Sequence, residues 1–298
     1  MHFVWRFDRY RTMHASILSS LPAPALRTAP ARQHAHPHAS KRSAQRAPLA
    51  RCSVPSSSSP PPPHPVALAD PVAWAVQIVE RARRRPKDSH AQADALREIV
   101  EMIRQGHSAT MLTATFVPIG RRRESVGDAV VQVAISALES HTNSILVTEA
   151  AAEWAAAWVG IEAPSRVRAA ELVQARVVLG AVENARACAG SLRCSTAVTL
   201  LRLCAAVANS VPAEFFRDSA VARCVSNLAL DCADCFATLP DVQSAAFSLL
   251  AHATLVRACG DATVAPRAGA CARAALKAHR NDPMVSVACV AVATVLVG

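Results

Sequence analysis

The chain has 298 residues, of which 52% are hydrophobic and only 4% aromatic, so Ala, Val and Leu must fill its core. Its formal charge of +10 is concentrated in residues 1–69, with nine basic residues and one acidic, whereas residues 70–298 hold 23 and 21. Near-balance over the folding part argues against the clustered positive surface that nucleic-acid binding needs, and no run alternates with period two over strand length, which leaves an all-α protein.

Residues 1–65 read as a disordered Arg/Ser/Ala/Pro-rich leader. They carry a single acid, Asp8, and the tract SSSSPPPPHP at 56–65, a composition that buries too little apolar surface to offset chain entropy. The same composition is that of a transit peptide, and Met13 opens an alternative start of that kind. Import would place the protein in a chloroplast or mitochondrion; without import the cytoplasm is expected.

Residues 66–106 predict a helical hairpin. Asp70-Pro71 is a capping acid followed by a proline at the first helical position, and Pro86 stops the helix after Arg83, Arg84 and Arg85. A second helix from about Ser89 to Gln105 sets Leu96, Ile99, Val100 and Ile103 on one face. This hairpin does not align with the units that follow, and is expected to cap the first of them.

Residues 124–298 are organised around a stretch used twice. Residues 134–160 and 272–298 align without a gap at 10 of 27 positions, among them His141/His279, Asn143/Asn281, Val147/Val285 and Gly160/Gly298. Each copy describes the end of one helix, a turn and a second helix. Apolar stripes at i, i+3, i+4, i+7, i+8 and i+11 begin at Val147, Ala197, Val242 and Val285, so four helix pairs are expected. Their first helices fall near 125–140, 166–187, 219–238 and 266–279, and their second helices near 144–159, 196–209, 241–256 and 283–297.

This layout resembles the armadillo/HEAT family of helical repeats, on the period, the pairing and the A-L-x-x-H-x-N run before the second helix. The resemblance implies a right-handed α-solenoid whose second helices line a protein-binding face. Importin-alpha-like members grip basic peptides with Trp-x-x-x-Asn on that helix. The matching slots here hold Trp154/Trp158, Cys204/Ala208, Leu249/Ala253 and Val292/Leu296, so that import function is not carried over.

No enzyme motif is found, and no cofactor or metal is expected. Cys232 and Cys235 form the only C-x-x-C, inside a helical pattern, and most other cysteines stand where neighbouring units place Ala or Val. His141 and His279 are expected to cap the carbonyl ends of their helices. Trp154 and Trp158 share one helical face, to be read as core or as a groove for a protein. Val287 and Val290 lie off the core stripe of the last helix, on an apolar outer face open to a partner or to self-association. The longest uncharged run, 284–298, falls short of the roughly 20 residues of a membrane span. The expected function is a non-enzymatic protein-binding scaffold. The alternatives are an organellar RNA-binding helical repeat protein, which would need a basic residue recurring at one slot, and a truncated repeat protein without independent function.

Overall fold

The computed structural model describes residues 70–107, 114–117, 123–160, 163–259 and 264–297. All of them belong to the compact unit Pro62–Gly298. The predicted leader, Arg121 and Arg122 lie outside the described residues. Among the described residues thirteen α-helices account for nearly all the regular structure, the all-α class that the periodicity predicts. None of the described helices is long and apolar enough to cross a membrane.

The first hairpin forms where its caps place it. Helix α1 (Pro71–Arg84) starts at Asp70, whose Oδ1 accepts the Val72 N–H at 2.8 Å. Helix α2 (Ser89–Arg104) starts at Asp88, which accepts from Ala91 N–H at 3.1 Å. The link to the next helix is not purely irregular: strand β1 (Thr115–Phe116) pairs antiparallel with β2 (Glu124–Ser125). Arg123 donates to the Thr115 hydroxyl at 2.9 Å, and Arg83 forms an ion pair with Glu124. Arg83 and Arg123 therefore brace this link.

Ser125 also caps α3 (Val126–Ser140), and Ser144 caps α4 (Ile145–Val159), which ends at Gly160 in the left-handed region at φ 76°. The predicted helix 166–187 is broken. It runs as α5 (Arg166–Gln174) and α6 (Val177–Ala187), with Arg176 between them at φ 56°. A left-handed non-glycine residue costs about 1–3 kcal/mol and persists only where packing over-determines it. Here α6 fits against α3: Gly180 lies close under Leu138, and buried Asn184 donates to the Leu138 carbonyl at 3.0 Å.

The chain continues through α7 (Cys194–Ser210), the short α8 (Pro212–Phe215), α9 (Ser219–Cys235) and α10 (Pro240–Leu250). The second helix expected at 241–256 stops at Leu250, and α11 (Ala253–Cys259) starts afresh after His252, so Ala253 leaves its predicted stripe. Helices α12 (Val264–Ala278) and α13 (Pro283–Val297) complete the described part.

Packing orders these helices into two rows. In one, α1, α3, α6, α9 and α12 each lie against the next; in the other, α2, α4, α7, α10 and α13 do the same. Pairing within α1/α2, α3/α4, α9/α10 and α12/α13 joins the rows, and one hydrophobic core runs from Ala75 to Val292.

The corners between rows repeat their construction. Gln92, fourth residue of α2, is buried and donates Nε2–H to the carbonyls of Ala82 (2.8 Å) and Arg85 (3.0 Å). Gln243, fourth residue of α10, is buried and donates to Ala233 (2.7 Å) and Phe236 (3.1 Å), at the same sequence separations. Each glutamine adds a side-chain donor to carbonyls at the end of the preceding helix, where Ala82, Arg85 and Phe236 also accept a backbone N–H. The hairpin at 70–105, which had no visible counterpart in sequence, thus shares its corner with the α9/α10 pair.

Candidate binding surfaces

His141 and His279 stand at equivalent points, each the residue that follows a first-row helix, with its N–H on the carbonyl four residues back. Their rings do something other than cap. His141 Nε2–H donates to the Pro86 carbonyl at 3.1 Å, and His279 Nε2–H to the Ala237 carbonyl at 2.8 Å. Each imidazole therefore reaches the corner of the preceding pair instead of the last carbonyls of its own helix. The following backbone bonds also match: Ser144 N–H to His141 and Thr148 N–H to Ser144 in one copy, Asp282 N–H to His279 and Ser286 N–H to Asp282 in the other.

Trp154 and Trp158 do not line a groove. Both are 0% exposed, with ring centroids 5.8 Å apart. The Trp158 indole N–H donates to Glu171 at 3.2 Å, and Arg168 sits 5.3 Å over the same ring while donating to the Trp158 carbonyl. Helix α5 packs against both α4 and α7, and its Arg168 and Glu171 cover Trp158. Neither tryptophan is available to a partner in this structure.

What the second row does expose is mixed. The exposed side chain in the middle of α4 is Glu153, of α7 Arg202 and of α10 Ser248. On α13, Met284 is 65% and Val287 54% exposed, while Val290 is half-buried beside them. The first row carries a charged ladder that sequence reading did not find, because its members come from three helices. Asp231 on α9 meets Arg186 of α6 at 3.3 Å and Arg267 of α12 at 3.0 Å, and Arg267 also meets Asp234 at 2.6 Å. Such exposed pairs contribute little individually.

Cys232 and Cys235 are free thiols, one buried and one exposed. Burial pushes Cys204, Cys232 and Cys289 up to about 12, and burial beside Asp234 pushes Cys271 up to about 11. These four remain protonated in neutral solution and are poor nucleophiles and metal ligands. Among the described residues no group of three or more His, Cys, Asp and Glu is placed to hold a metal ion. An open groove of about 640 Å³ lies along α1, lined by Trp74, Gln77, Arg81, Arg84 and Glu98 among others. A second cavity, of about 30 Å³ near Ser226 and Cys259, has room for about one water.

No family profile matches this chain, and neither a curated protein nor a solved structure is found similar to it.

Proposed function

We propose that residues 70–298 form an armadillo-like α-solenoid that acts as a non-enzymatic scaffold for a protein partner. The observation that carries this reading is the ordered stacking of helix pairs in two rows, with glutamine and histidine ties recurring at the corners. Such rows are stabilised between neighbours and offer a long, stiff side for a partner to lie along. The Glu153, Arg202 and Ser248 series gives no recurring cation on the second row, which favours protein over RNA.

A photo-crosslinking amino acid at position 153 or 202, in cells making the full chain, tests this directly. A discrete protein adduct from both positions, and none from the exposed first-row position 183, is expected. Crosslinks to RNA, or the same protein captured equally from position 183, would overturn the reading.

A further inference from the structure

The α13 surface has a twin inside the same chain. In the ungapped match, Met284, Val287, Val290 and Thr294 stand where α4 has Leu146, Glu149, Ala152 and Ala156. On α4 the last three are buried, and Glu149 forms an ion pair with Arg193 at the start of α7, 3.4 Å away. That face of α4 is covered because α7 packs against α4. On α13 the corresponding face is open.

We infer that this face of α13 is the contact by which two copies of the chain pair about a two-fold axis. Charge selects the occupant. From Pro283 to Val297 there is no charged side chain, so the face calls for an uncharged, apolar surface opposite. Five large hydrophobic residues are exposed among the described residues. Val117, Val167 and Leu239 stand singly on separate elements, whereas Met284 and Val287 lie one turn apart on α13. The α1/α2 end of the rows presents Arg81, Arg84, Glu98 and Glu101. Laying valines over those groups would strip water from charges without replacing it. Head-to-tail stacking is therefore disfavoured, while a two-fold contact sets the uncharged face on its own image. The one hydroxyl among these four residues is already satisfied, since Thr294 donates to the Val290 carbonyl at 3.0 Å and leaves no donor to be buried unpaired.

Sedimentation velocity on the full chain across a wide concentration range tests this. A monomer–dimer equilibrium that stops at two is expected, with Val287→Glu weakening it by about a hundredfold because each copy then buries an unpaired carboxylate. Met284→Glu serves as the second variant, and circular dichroism of both variants checks that the monomers remain folded. A chain that stays monomeric throughout, an open-ended series of larger species, or a dimer untouched by both variants would overturn the inference. None of these outcomes bears on crosslinks at positions 153 and 202, so the two readings fail independently.

Discussion

The two ends of the helix rows solve the same problem differently. Each end has one face with no further helix pair among the described residues to cover it. The α1/α2 end is charged: Arg81 pairs with Glu98 at 2.7 Å, Arg97 with Asp94 at 3.5 Å, and Arg84 and Glu101 point outward. The α12/α13 end is apolar, and its last helix carries no charge at all. A polar outer face is what lets a terminal pair of stacked helices remain in water. The contrast teaches that the same stacking of helices leaves a charged face at one end of the described rows and an apolar face at the other.

The comparison can be sharpened by substitutions at twin positions, beginning with the largest effect. Trp158 in the interior corresponds to half-buried Leu296 at the apolar end. Trp158→Ala should lower stability by about 3–5 kcal/mol, and Leu296→Ala by only about 1–2 kcal/mol, measured by urea unfolding. Equal losses would mean that the α13 end is packed as tightly as the interior.

Next come the corner glutamines. Gln243→Ala and Gln92→Ala each remove two side-chain hydrogen bonds to corner carbonyls, and each should cost about 2 kcal/mol. Hydrogen exchange separates them: loss at Gln92 should loosen α1 locally, whereas loss at Gln243 should raise exchange in α9 and α10 together. An effect confined to α10 would show that the interior corner is not shared between the rows.

A smaller effect is expected from the charged ladder. Asp231→Asn removes the acid between Arg186 and Arg267 and should cost less than about 1 kcal/mol, a difference that fades as salt is raised. A larger cost that persists in high salt would make the ladder a principal tie between α6, α9 and α12.

The mildest prediction concerns acid. His252, between α10 and α11, lies 5.8 Å from the Phe216 ring, and burial holds its pKa below the ordinary 6.5. The unfolded chain then takes up a proton that the folded chain resists. Stability contributed by this group is complete above 6.5 and is lost as pH falls from 6.5 toward the folded value. His252→Gln should flatten the acid side of the stability profile; an unchanged slope would assign that slope to other groups.

What the sequence determined by itself was local. The 3.6-residue periodicity gave the all-α class, and Asp70-Pro71 set the start of α1, where Asp70 caps the helix in the structure. The 27-residue match sets Asp282 opposite Ser144, and both cap their helices in the structure. These signals depend on neighbours within a turn or two, so they can be read from spacing alone. Tertiary structure decided the rest. It broke 166–187 at Arg176 and 241–256 at Ala251–His252, where packing overrode an unbroken apolar pattern. It turned the rings of His141 and His279 toward another corner, and brought Arg186, Asp231 and Arg267 together from three helices. It also buried Trp154 and Glu149 while leaving Val287 exposed, although all three lie in matching stretches. An apolar stripe specifies that a helix has a face to cover; which helix covers it, and whether any does, depends on contacts far apart in the chain.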